Sequence, residues 1–209
     1  MSEPLTAGRR LVLRGVIASS GFSSGHRVVV GHWWQSPIGA FTDVMWAEPD
    51  GLKVLYVPDD RVARFVTSVY RFDRIEIEPF RTRAVDRSLV VELDGRVLSF
   101  VAGRGIPLPG PRPAALTRWV ERPLARLVLG VRTYGVSPTG VREWYQAAWW
   151  RPLRSAAASI DGVDLGDRGP VDPPVRFGFS EPPRRPCMVG LRTLLVDPSG
   201  RLDVVAGQA

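Results

Sequence analysis

The chain has 209 residues, 44% of them hydrophobic and 23% charged, an ordinary globular composition with enough length to bury a substantial core. The net charge is +7, but Lys53 is the only lysine and the arginines are scattered (Arg9, Arg10, Arg74, Arg87, Arg126, Arg154, Arg184), which argues against a nucleic-acid surface. A single cysteine, Cys187, excludes an internal disulfide and fits a reducing cytoplasm; no apolar run approaches the roughly 18 residues of a membrane span.

At the N-terminus "RRLVLRG" has the look of a twin-arginine signal, but Arg14 interrupts its apolar stretch too early for a signal's apolar core. "GFSSG" (21–25) matches the pattern around a hydrolase nucleophile, Ser23. That motif must open a helix, whereas "HRVVVG" follows here and reads as a strand, so a glycine-rich turn is expected. The segments "HRVVVGHWW", "FTDVMWA" and "LKVLYVP" are apolar enough for buried strands, with Pro49-Asp50-Gly51 turning between the last two. In the first, Trp33 and Trp34 face opposite ways; in the second, Asp43 shares a face with Phe41 and Met45 while Trp46 takes the other.

"DDRVARFVTSVY" has an acidic cap and apolar residues at Val62, Phe65, Val66 and Val69, which predicts a helix. "RIEIEPF" alternates, with Ile75 and Ile77 expected inward. In "SLVVELDGRVLSFVA", Asp94-Gly95 is a two-residue hairpin turn. That register sets Leu93 opposite Arg96, Val91 opposite Leu98 and Leu89 opposite Phe100. A second helix, kinked at Pro123, is predicted over 112–130. "GRGIPLPG" (103–110) has the wrong glycine spacing for a dinucleotide loop. "GVREWYQAAWW", "RSAAASI" and "MVGLRTLLV" complete the strands, and "DPSG" turns into a last one, "RLDVVA". Nineteen prolines and twenty-one glycines favour many turns, and no compositional break divides residues 1–209. The expected fold is mainly β: one antiparallel β-barrel with two helical insertions.

Two acids stand out. Asp43 lies among Phe41 and Met45, and Glu143 alternates with Val141, Tyr145 and Trp149. A carboxyl on an apolar face must be paired, hydrogen-bonded or neutralised. Asp43 and Glu143 are therefore the candidate catalytic groups. Phe41, Met45, Tyr145 and Trp149 are candidate ligand contacts, and Arg176 and Arg192 are candidate partners of the acids or of a ligand. Solvent faces and structural ion pairs with arginine are the competing explanations. His26 and His32 share strand parity and could join Asp43 around a metal, but no compact ligand spacing supports this, so neither metal nor cofactor is expected. Cys187 has no histidine near it in sequence and reads as a buried structural thiol.

The run "GVREWYQAAWW", "IDGVDLG", "PPVRFGFSEPPRRP", over residues 130–196, resembles uncharacterised bacterial proteins of the acetoacetate decarboxylase-like barrel group. That resemblance implies a barrel and a Schiff-base lysine. Lys53 is the only candidate, and its place beside a turn argues against that chemistry. The leading expectation is a barrel holding a small, largely apolar molecule, extending to a cofactor-independent enzyme of secondary metabolism. The competing expectation is an interaction module that binds a protein partner through the Pro-rich, basic segment 170–186.

Overall fold

The computed structural model describes residues 9–107, 134–178 and 181–197. Their strands are β1 (Arg9–Phe22), β2 (Arg27–Gln35), β3 (Phe41–Ala47), β4 (Lys53–Val57), β5 (Arg74–Ile77), β6 (Arg81–Val85), β7 (Ser88–Leu93) and β8 (Arg96–Ala102). After them come β9 (Ile106–Pro107), β10 (Tyr134–Val136), β11 (Arg142–Ile160), β12 (Val163–Asp164), β13 (Arg168–Gly169) and β14 (Cys187–Asp197). One helix, α1 (Asp60–Thr67), connects β4 to β5.

The strands form one sheet in the order β5-β4-β3-β2-β1-β14-β11-β8-β7-β6, with β9, β10 and β12 pairing β11 and β13 pairing β1. The expected closed antiparallel barrel is corrected here in two respects. The ladder runs from β5 to β6 and does not close among the described residues, and β5 pairs β4 in parallel. Curvature stands in for closure. Strand β11 has 19 residues, pairing β14 through its first half and β8 through its second, with register shifts at Ala147/Trp149 and Leu153/Ser155. Bulges of this kind bend a strand and increase its twist, so the β8-β7-β6 end folds back over β2, β3 and β4. Val28, Val30, Val44 and Trp46 thus pack in one core with Leu89, Val91, Leu98 and Phe100, and the Thr82 hydroxyl of β6 donates to that of Thr42 in β3 at 3.1 Å.

The hairpin at Asp94-Gly95 has the expected register, Leu89↔Phe100, Val91↔Leu98 and Leu93↔Arg96, with Gly95 at φ 64° as its turn requires. Ser23 sits in the turn between β1 and β2, where its hydroxyl accepts from the Asp167 amide at 3.0 Å. Three expectations differ from the structure. Ile75 and Ile77 are exposed at 45% and 48%, because β5 is an edge strand with one neighbour. "GVREWYQAAWW" and "RSAAASI" belong to one strand, β11. The segment set aside for its early arginine forms β1, with Arg14 at the register shift against β2. The second predicted helix (112–130) and "RLDVVA" lie outside the described residues.

Half of the sheet is buried on both faces. Behind the core just described, the outer face of β1, β2, β3, β11 and β14 is covered by α1 and by a Pro-rich strap, of which residues 171–178 and 181–183 are described. The helix is capped by Asp59, whose Oδ1 accepts from the Val62 amide at 2.8 Å, and it buries Val62, Phe65 and Val66 against Trp33, Phe41 and Leu55. The strap buries Val171, Val175 and Phe177 against Val29 and Ala47. Arg27 ties it down, donating to the Pro173 carbonyl at 3.4 Å and to the Glu48 carbonyl.

Candidate functional site

Where α1 and the strap meet over the sheet they leave a cavity of about 170 Å³. On the same measure one water needs only about 10–15 Å³. The sheet supplies residues of five strands: Leu13 and Ile17 of β1; Val29, Gly31 and Trp33 of β2; Phe41, Asp43 and Met45 of β3; Tyr145 and Ala147 of β11; Leu191, Thr193 and Leu195 of β14. Phe65, Val66, Val69 and Tyr70 close it from α1 and the turn after it, and Phe177, Gly178, Glu181, Pro182 and Pro183 from the strap. The wall is predominantly apolar and aromatic, with few polar groups, the usual make-up of a small-molecule site.

Asp43 is 2% exposed. The Trp33 indole N–H donates to its Oδ1 at 2.9 Å, and no basic side chain pairs with it among the described residues. Burial therefore raises its pKa to about 7, against the smaller opposing effect of the Trp33 hydrogen bond. The position opposite Asp43 in the β2/β3 ladder is Gly31. A methyl group there would stand 2.5 Å from Asp43 Oδ1 and 2.6 Å from Trp33 Nε1, so only glycine leaves room for this pair.

Glu143 is fully buried one layer behind the wall. Its Oε2 accepts from Tyr70 at 2.8 Å and from Tyr145 at 3.0 Å, and the two tyrosine hydroxyls are also in hydrogen-bond contact with each other. Its Oε1 is buried without a partner among the described residues. Burial raises the Glu143 pKa to about 8, again more than the two hydroxyl donors lower it. Burial first, and then the Glu143 charge, also push both tyrosines well above their ordinary value. Burial thus favours the protonated form of both acids well above the ordinary carboxylate range. Tyr145 also feels the Asp43 charge, so the two acidic groups share one electrostatic environment. Thr193 completes it, with a buried hydroxyl that has no partner among the described residues.

Asp43, Phe41, Met45 and Tyr145 thus meet at one wall, with Glu143 behind it. The cavity lies between the sheet's outer face and its cover, not in the core enclosed by the sheet's two ends. Trp149 is not brought to it. The register shift at Ala147/Trp149 turns Trp149 to the opposite face, where it stacks on Arg151 and packs against the main core, and Trp150 takes the cavity position. Arg192 also faces away from the acids, donating to Gln146 at 3.0 Å. Arg176 is exposed in the strap at φ 52°, with its amide bonded to Glu181. Burial without a counter-charge, rather than pairing with these arginines, sets the state of the acids.

Tyr70 and Thr193 are not singled out by sequence, and Trp33 is read there only as a strand residue near Asp43, not as its hydrogen-bond donor. Only Thr193 left a signal there, as a lone hydroxyl between Leu191 and Leu195 on one strand face.

His32 bonds Thr42 at 2.9 Å on the face opposite Asp43, and His26 accepts from the Trp46 indole at 2.9 Å. Among the described residues no three metal-ligating side chains come together. Lys53, at the start of β4, does not line the cavity. Cys187 is buried, and its thiol is pushed up to about 11, mainly by burial. Comparisons with family models, curated proteins and solved structures find no match to this chain.

Proposed function

We propose that this chain binds a small, largely apolar molecule in the cavity beneath α1 and the strap, and that Asp43 and the Tyr70–Tyr145–Glu143 cluster engage the molecule's polar end. The observation that carries this reading is two buried carboxyls, neither paired with a cation, on or just behind one apolar wall. A protein that needed only packing there would fill the site with hydrocarbon, since unpaired buried acids cost stability. The two acids also titrate near neutral pH, where general acid–base groups work best, which extends the reading to cofactor-independent catalysis. The strap spends Val171, Val175 and Phe177 on its own sheet, which favours a cover for the cavity over a partner-binding segment.

The test is a panel of fragment-sized apolar ketones, alcohols and hydrocarbons. Melting temperature and quenching of tryptophan fluorescence are the readouts, because Trp33 and Trp150 line the cavity. Oxygen-bearing members should raise the melting temperature by mass action and quench. Ala147→Phe, which fills the cavity from β11, should abolish both effects. A panel that leaves both readouts unmoved, or binding that survives Ala147→Phe unchanged, contradicts the proposal.

A further inference from the structure

The cluster behind the wall has a proton count that depends on Glu143. With Glu143 ionised, both tyrosine hydroxyls donate to its Oε2, as the 2.8 and 3.0 Å contacts allow, and no proton is left to point at a ligand. With Glu143 neutral, the same three groups hold a third proton, which can serve either the Tyr70–Tyr145 contact or an acceptor outside the cluster. A tyrosine that gives up its contact with the other can turn that proton to an acceptor in the cavity, which both Tyr70 and Tyr145 line. On the same sheet wall as Tyr145 stands Asp43, with Oδ1 held by Trp33 at 2.9 Å and Oδ2 outside that bond. The buried, partnerless Thr193 hydroxyl between the two is an independent sign that this wall is built to meet a polar atom.

We propose that the cavity enolises a small apolar ketone, with Asp43 withdrawing a proton from the carbon next to the carbonyl while Tyr70 or Tyr145 donates to the carbonyl oxygen. The inference rests on the binding reading above and adds a reaction and a substrate class. The C–H bond breaks and its proton goes to the Asp43 carboxylate. Its electron pair becomes the new C=C bond, and the carbonyl π pair moves to oxygen, which is held by the donated hydrogen bond. Return of the proton to the same carbon restores the ketone; its return to a conjugated carbon moves a double bond. No oxidant, reductant or metal enters this balance. Asp43 is the base, Tyr70 or Tyr145 is the donor, and Glu143 is a positioning residue that decides whether a donor is available. The step requires Asp43 ionised and Glu143 neutral, so activity should rise and then fall as pH increases.

The experiment incubates 2-tetralone, 2-indanone and cyclohexanone with the protein in D2O and follows hydrogen exchange beside the carbonyl by mass spectrometry. Tryptophan quenching by the same ketones is read in parallel. Exchange by the wild-type protein should exceed the buffer rate on the order of a hundredfold. It should rise as Asp43 ionises and fall as Glu143 ionises. Asp43→Asn should return exchange to the buffer rate, and Glu143→Gln, whose amide keeps a donor at every pH, should lose the alkaline fall. Quenching without exchange, exchange retained in Asp43→Asn, or a flat wild-type pH profile overturns the inference and leaves the binding reading in place. No quenching by any of the three ketones overturns both. The wild-type profile decides the matter even if Asp43→Asn does not fold.

Discussion

At the scale of single residues, the acids impose a stability cost that pH should reveal. A carboxyl whose folded-state pKa is raised binds its proton more tightly in the native protein than in the unfolded chain, so its contribution is full below the unfolded value and is lost as pH climbs to the folded one. For Glu143, raised from 4.5 to about 8, the loss is on the order of 4 kcal/mol, and Asp43, raised to about 7, adds to it. Denaturant unfolding should therefore show stability falling between about pH 4 and pH 8. Glu143→Gln should flatten most of that fall, matching or exceeding wild type at pH 8 while staying close to it at pH 5. A wild-type protein equally stable at pH 5 and pH 8 would mean that these carboxyls are solvated or paired. Gly31 offers a second test at the same scale. Gly31→Ala puts a methyl group against Asp43 and Trp33 and should cost about 1–3 kcal/mol, as overpacked sites do. It should also weaken ketone binding, read by quenching, beyond what a surface Gly→Ala change does.

At the scale of elements, the cavity depends on how its two covers are seated. Asp59→Ala removes the helix cap made to the Val62 amide and should lower stability by about 1 kcal/mol, with a modest fall in ligand affinity because Phe65 and Val66 are carried on that helix. Gly178 lies against the Tyr70 ring, 2.5 Å from where its Cβ would be. Gly178→Ala should displace Tyr70 or lift the strap, and so reduce ketone affinity more than it reduces the melting temperature. Equal losses in both would make Gly178 a packing residue alone. What the sequence made legible follows the same division. The Asp94-Gly95 hairpin could be read to its register because its turn and alternation are local, and Asp43 was identified because a carboxyl between Phe41 and Met45 breaks an apolar face. Trp149 falls on the other face because the shift at Ala147/Trp149 leaves no compositional mark while reversing the side chains that follow it, up to the next shift at Leu153/Ser155. Tyr70, 73 residues from Glu143, meets it through tertiary structure, which a strand-by-strand reading does not supply.

At the scale of the whole molecule, the sheet reaches compactness by bending β11 rather than by closing a ladder, and this separates a packed core from a cavity on the sheet's other face. The expected barrel placed ligand and core in one interior; the open sheet gives each its own side. The charge of +7 plays no part in this site, since no arginine or lysine lines the cavity among the described residues. Binding to duplex DNA should accordingly be weak, indifferent to sequence and lost at moderate salt; fluorescence anisotropy that holds at physiological salt would give the basic surface a function of its own. The most direct test of the cavity itself is a crystal structure of the protein soaked with 2-tetralone. Density for the ketone beneath α1 and the strap, with its oxygen within hydrogen-bond distance of Tyr70 or Tyr145 and its ring against Phe41 and Leu191, is the predicted result. An empty cavity at saturating ketone, or a ketone whose oxygen points away from both tyrosines, would contradict it.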